Sequence, residues 1–156
     1  MIFITVGTQI HSFKRLFNYV DKYSFKDEVI IQYGHNNIDT EHESFDFASD
    51  IEKYFKNSDV IITHGGVGSI IQGLKLNKKV IVVPRLKKSN EHVDDHQLEI
   101  CNKFKEENLI VVVNNYKEFK SALDNINSIK LDSFKSNTKC FNDDLLVKIQ
   151  QLIKGE

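Results

Sequence analysis

Apolar residues along this chain fall into short uninterrupted runs, and between the runs they recur every three or four positions. The runs lie within Ile2–Val6, Glu28–Tyr33, Val60–Thr63, Lys79–Pro84 and Leu109–Val113. Short runs rich in Val and Ile predict strands buried on both faces, as parallel strands are. Between the first two, His11–Tyr23 carries Phe13, Leu16, Phe17 and Val20 at the spacing of one helix face. Ser49 followed by Glu52 reads as a capping box for a helix over Asp50–Lys56. Ile70–Leu76, Lys117–Ile126 and Phe141–Ile153 also read as helices, the last with Leu145, Leu146, Ile149 and Leu152 on one face. Asp94 or Asp95 is expected to cap a further helix that runs to Glu107. Phe45 and Phe47 suggest a short strand after a polar loop at His35–Glu43.

The alternation predicts an α/β fold, a Rossmann-like parallel sheet with helices on both faces. No repeat, low-complexity tract or linker divides residues 1–156, so one domain is expected. In such sheets ligands bind beyond the carboxyl ends of the strands. That rule places Gly7 and Thr8, the run His64–Ser69 and the segment Pro84–Gln97 along one crevice, because each follows a strand.

Composition narrows the partners. The chain balances 21 basic against 22 acidic residues for a net charge of −1, which offers no bulk field to nucleic acid or to an anionic membrane. Its 156 residues can bury roughly two-thirds of their unfolded surface and support a core. Cys101 and Cys140 form no CxxC pair and read as reduced thiols. The opening apolar run reaches Gly7 without a basic leader, and no run approaches the ~20 residues of a membrane span. A cytosolic location is expected, with any membrane contact made through a partner.

The run His64-Gly65-Gly66-Val67-Gly68-Ser69 lies between a strand and a helix. Such a turn leaves backbone N–H groups at a helix N-terminus, where the dipole also favours an anion. It reads either as a nucleotide diphosphate pocket, with His64 and Ser69 adding donors, or as a tight turn that needs glycine for room alone.

A second cluster, Glu91-His92-Val93-Asp94-Asp95-His96-Gln97, packs six ionisable or amide side chains into seven positions. Three readings stand. Carboxylates and amides suit sugar hydroxyls. His92, Asp94, Asp95 and His96 are the right types for metal ligands. Asp94 and Asp95 also suit a solvated helix start. Adjacent carboxylates cannot flank one glycosidic bond, so a glycosidase is disfavoured.

In order and spacing, His64–Ser69, Gly73, Val82-Val83-Pro84-Arg85 and Glu91–Gln97 resemble the C-terminal, donor-binding domain of family 28 glycosyltransferases. Ile4–Thr8 followed by Phe13 fits the same pattern, and the resemblance runs to about residue 125. It is closest in kind to the short subunits of two-component enzymes. These include the catalytic subunit of the dolichol-linked N-acetylglucosaminyltransferase and its bacterial counterparts in capsule and exopolysaccharide synthesis.

The resemblance implies the C-terminal half of a GT-B enzyme. Gly65, Gly66, Gly68 and Ser69 would hold the diphosphate of a UDP-sugar, beside His64. Gly7, Thr8, Glu91, His92, Asp94, Asp95 and Gln97 would line the donor crevice, with Asp95 and Gln97 on the sugar. Gln72 stands where relatives often carry a glutamate that takes both ribose hydroxyls. Gln9-Ile10-His11 departs from the His-Glu-Gln of relatives. Arg85 is either a further cation for the diphosphate or a solvated strand-end arginine. His11 and His64 are the candidate catalytic histidines, His11 as a general base.

The implied activity is inverting transfer of a hexose, galactose favoured, from a UDP-sugar to a polyprenyl-diphosphate-linked saccharide at the inner face of the plasma membrane. No cofactor or metal is expected, and no nucleic acid. A membrane-attached subunit would bind the acceptor, the helix at Phe141–Ile153 could dock it, and the free chain could self-associate. N-acetylglucosaminyl or glucuronosyl transfer, a non-catalytic nucleotide-sugar module, a metal-dependent phosphohydrolase and an epimerase are the competing readings.

Overall fold

The continuous apolar runs do form parallel strands. In a computed structural model, which describes residues 1–135 and Val147, six strands make one sheet. They are β1 (Ile2–Thr5), β2 (Val29–Gln32), β3 (Glu43–Phe45), β4 (Val60–His64), β5 (Lys79–Val83) and β6 (Val111–Val112). The helices are α1 (Lys14–Lys22), α2 (Glu52–Asn57), α3 (Val67–Lys75), α4 (His96–Glu106) and α5 (Tyr116–Asp124). The helix expected over 141–153, and its docking face, lies outside the described residues apart from Val147.

The strand order is β3-β2-β1-β4-β5-β6, all parallel. The chain leaves β1 toward one edge through β2 and β3, then returns to β4 and proceeds to the other edge. The switch point falls between β1 and β4, where Thr5 pairs with Thr63. This is where a doubly wound sheet opens a crevice at its carboxyl end.

Alternate strand residues serve opposite faces. Ile2, Ile4, Ile31, Ile62 and Ile81 pack with Leu16, Phe17 and Val20 of α1 and Phe119 of α5. Phe3, Ile61, Val80 and Val82 pack with Phe55 of α2, Ile70 and Leu74 of α3, and Ile100 and Phe104 of α4. Helices therefore cover both faces, as the strand pattern requires.

Four local expectations need correction. The capping box at Ser49 does not form: α2 has Ile51 at its N-cap position without a side-chain cap, and Asp50 accepts from the Lys53 amide instead. Asp95 occupies the N-cap position of α4 but gives no cap bond; its Oδ1 accepts from the Lys87 amide, while Asp94 accepts from His96 N–H. Phe47 lies beyond β3 and is exposed. The last strand is only Val111–Val112, because Asn108 turns the chain with a positive φ and Leu109 N–H bonds back to Phe104.

Among the described residues no helix is long and apolar enough to cross a membrane.

Candidate functional site

Three loops leave the carboxyl ends of β1, β4 and β5 and meet over the switch point. The β1 loop is shaped by a buried glutamine. Gln32, 1% exposed at the end of β2, accepts from Thr5 Oγ1 at 2.6 Å and from Gly7 N–H at 3.2 Å. Its Nε2 donates to the carbonyls of Gly7 and Asp46. Gly7 turns there with φ of +71°, a conformation that favours glycine. Thr8 beyond it is exposed.

The β4 loop enters α3 at Gly66, and no side chain caps that helix. By contrast Asn115 caps α5 by accepting from Glu118 N–H. The first amides of α3, from Val67 onward, are thus left to an outside acceptor. The glycines divide in purpose. A Cβ on Gly65 would lie 2.7 Å from Gln97 Cβ and 2.9 Å from Cys101 Sγ, so Gly65 is required by the packing of α4. Its N–H already donates to Gln97 Oε1 at 3.1 Å and is not free for a phosphate, against expectation. A Cβ on Gly66 would lie 2.3 Å from His64 Nε2, whereas Gly68 faces open space.

His64 is 7% exposed, and its ring lies between Gly7 and Gly66, close enough to both that neither could carry a side chain. Burial, reinforced by the charge of Arg85, lowers its pKa to about 4. The imidazole is neutral at neutral pH and a weak base. Its ring is a wedge that sets the distance between two glycine turns.

The β5 loop corrects further expectations. Arg85 is neither solvated nor open to the crevice: it is 0% exposed. Nη1 donates to the carbonyls of His11 (2.8 Å) and Glu91 (3.3 Å), and Nη2 to that of Val6 (3.2 Å). Its guanidinium lies 4.4 Å from the Phe13 ring centroid, and burial lowers its pKa to about 10. Glu91, expected to line the donor crevice, is 2% exposed and bound to Arg15 through Nε and Nη2 at 3.0 and 2.8 Å. Gln97 is buried, its Oε1 shared by the amides of Gly65 and Arg85.

What faces the open space is a cleft of about 310 Å³ lined by Gly65, Gly66, Val67, His92, Asp94, His96, Gln97 and Ile100. His92 Nδ1 lies 3.0 Å from Asp94 Oδ1, and His92 Nε2 lies 3.3 Å from Gln9 Nε2, which closes the β1 loop over the β5 loop. Burial opposes ionisation of Asp94, but the His96 amide and the two imidazoles outweigh it and hold the carboxyl below its usual range. Ser69 and Gln72 are half-buried on α3, make no side-chain hydrogen bond among the described residues, and lie outside the cleft lining. The His11 ring has a buried Nδ1 without a partner. Among the described residues no three His, Cys, Asp or Glu side chains converge as metal ligands, so the metal reading of His92–His96 has no cluster behind it. A depression of about 460 Å³ around Met1, Tyr23, Asp59 and Asp124 lies at the opposite, amino end of the strands.

Sequence reasoning overlooked Gln32 and Arg15, and the contact of Gln9 with His92. Gln32 leaves one signal, a polar residue ending the apolar run Val29-Ile30-Ile31. Arg15 and Gln9 leave none, because their partners lie 76 and 83 residues away.

The sheet order and the glycine turn at the switch point define a Rossmann-like domain of the kind that forms half of a GT-B glycosyltransferase. The chain belongs to the glycosyltransferase family 28 C-terminal domain family, whose model matches residues 1–152. It is similar to a protein named UDP-N-acetylglucosamine transferase subunit ALG13 from Candida albicans, 35% identical over 120 residues, covering 77% of this chain and 36% of the relative. The protein of that name from Kluyveromyces lactis is 38% identical over 94 residues, 57% of this chain and 46% of the relative. The chain thus spans less than half the length of these relatives. An NMR solution structure of ALG13 shares the fold at a TM-score of 0.63 and 23% identity, covering 94% of each chain. The glycotransferase of kitacinnamycin shares it at a TM-score of 0.53 and 11% identity, covering 99% of this chain and 39% of that one.

Proposed function

We propose that this chain is the donor-binding subunit of a glycosyltransferase that takes N-acetylglucosamine from its UDP carrier. The observation that carries the reading is the uncapped N-terminus of α3 opening on the cleft at the β1/β4 switch point. Family membership gives that geometry its ligand class. The relatives' names favour N-acetylglucosamine over the galactose expected from the sequence. The word "subunit" in those names supports a second polypeptide that binds the acceptor. In this proposal that partner also brings the chain to the cytoplasmic face of a membrane and a lipid-linked acceptor.

Transfer breaks the bond from the sugar C1 to the diphosphate oxygen, whose electron pair stays with UDP. The α3 amides and the helix dipole are already aimed where that charge grows, so little reorganisation is needed. His92, Asp94 and the Gln97 amide line the part of the cleft left for the sugar. His64 is buried between two glycine turns, and we assign the base to the partner's side.

Calorimetric titration of the chain with UDP, UDP-N-acetylglucosamine and UDP-galactose, beside Gly66→Val, tests this. UDP binding that the substitution abolishes, with N-acetylglucosamine preferred, is the expected result. Binding that Gly66→Val leaves intact would move the donor site elsewhere.

A further inference from the structure

Arg15, Glu91 and Arg85 form a cluster beneath the crevice with two positive charges and one negative. The Glu91 carboxylate is engaged by Arg15 and by the Leu86 amide. Arg85 has no carboxylate partner among the described residues. Among the described residues its guanidinium donates to the neutral carbonyls of Val6, His11 and Glu91, its Nε has no hydrogen-bond partner, and the Glu91 carboxylate acts on it through charge without a hydrogen bond. The side chain is wholly buried. A buried charge without an opposite partner is costly to retain.

We infer that Arg85 is a positioning residue whose charge, in excess of the cluster's single carboxylate, holds the donor's diphosphate at the glycine turn through the protein interior, without touching it. This rests on the UDP-sugar reading above. Two observations connect the charge to the turn. The amides of Arg85 and Gly65 share one acceptor, Gln97 Oε1, so the end of β5 and the turn are one hydrogen-bonded unit. The field of Arg85 also reaches the His64 ring, where it adds to burial in keeping the imidazole neutral. That ring sits against Gly66. A field that repels a proton there attracts phosphate oxygens at the same place. The guanidinium fork has a second effect: it joins Val6 and His11 of the β1 loop to Glu91 of the β5 loop, so both walls of the crevice are set by one side chain.

The test is calorimetry on the full chain with UDP and with uridine, which lacks the diphosphate. Arg85→Gln removes the charge. Arg15→Gln keeps it but leaves the Glu91 carboxylate free to neutralise it. Both substitutions are expected to lower the affinity for UDP relative to that for uridine by about tenfold, whatever loss of the fork in Arg85→Gln does to both ligands alike. In an NMR titration the His64 pKa rises in Arg85→Gln. Equal weakening of UDP and uridine would reduce Arg85 to a structural residue and overturn the inference, as would UDP affinity that neither substitution changes. If Arg85→Gln does not fold, Arg85→Lys decides together with Arg15→Gln: lysine keeps the charge without the fork, so the preference for UDP over uridine persists. Loss of that preference in the lysine variant, with Arg15→Gln unaffected, overturns the inference. A wild-type chain that does not prefer UDP to uridine fails at the donor-site reading itself and takes the inference with it.

Discussion

The side-chain carbonyl of Gln97 accepts from the amide of Gly65 at 3.1 Å and so fixes the first turn of α4 to the glycine turn that precedes α3. The same oxygen accepts from Arg85 N–H at 3.2 Å. Replacing Gln97 by Leu keeps the bulk and leaves two buried amides without an acceptor, each at a cost of about 1–3 kcal/mol. Urea unfolding should show that loss, and UDP binding should weaken with it. Gln97→Glu restores an acceptor and should recover part of the stability. Unchanged stability in Gln97→Leu would mean that water or a neighbour takes over both bonds.

Gly66 and Gly68 are two positions apart and should respond in opposite ways. A Cβ on Gly66 meets the fixed His64 ring at 2.3 Å, while one on Gly68 meets nothing within 4 Å. Gly66→Ala is therefore expected to displace His64, lower the melting temperature and open the switch point. Gly68→Ala lies inside α3 and should leave stability unchanged or raise it by about 0.5–1 kcal/mol. Thermal unfolding of the pair checks both. Equal effects would show that His64 gives way to the new methyl group.

Acid should destabilise the fold through His64. Its pKa is about 4 when folded, against 6.5 for the free side chain. Between those values the unfolded chain binds the proton that the folded chain refuses. The contribution is fully present above about pH 6.5 and is lost as the pH falls toward 4, to the extent of about 3 kcal/mol. Unfolding free energies measured across that range should fall more steeply for the wild type than for His64→Gln. Parallel curves would assign the acid sensitivity to other groups.

Cys101 should be inert in the native state. It is wholly buried behind Gly65, and burial pushes its thiol up to about 12. A thiol without thiolate does not react. In a Cys140→Ser background, a thiol reagent at mildly alkaline pH should modify the chain only after denaturant is added. Rapid native labelling would reveal opening of the α3–α4 contact.

The sheet and its crevice were legible because both are written locally. Val80-Ile81-Val82-Val83 can only be a strand covered on both faces, and glycines between a strand and a helix mark a turn. The roles within the crevice were less legible. Arg85 and Glu91 lie in a stretch that reads as a charged surface loop, yet both are buried, because Arg15 and the carbonyls of Val6 and His11 reach them across 74 to 79 residues of chain. Composition of a loop does not reveal such partners. Gln97 shows a milder form of the same effect. Its place in the crevice was anticipated, but its oxygen serves the backbone of two loops. The capping box at Ser49 failed for a local reason, since Asp50 competes for the same role and reaches the Lys53 amide.

The position of β4 has a consequence for the half-made protein. It lies in the middle of the sheet, with β1 on one side and β5 on the other. Its residues Val60-Ile61-Ile62-Thr63 carry no charge and no proline to discourage a stranger. A chain interrupted between β4 and β5 would present that row of unpaired backbone groups to its surroundings. Such an edge is a template for aggregation. The same strand that leads into the glycine turn in the finished molecule is thus the one most in need of cover while the molecule is being made.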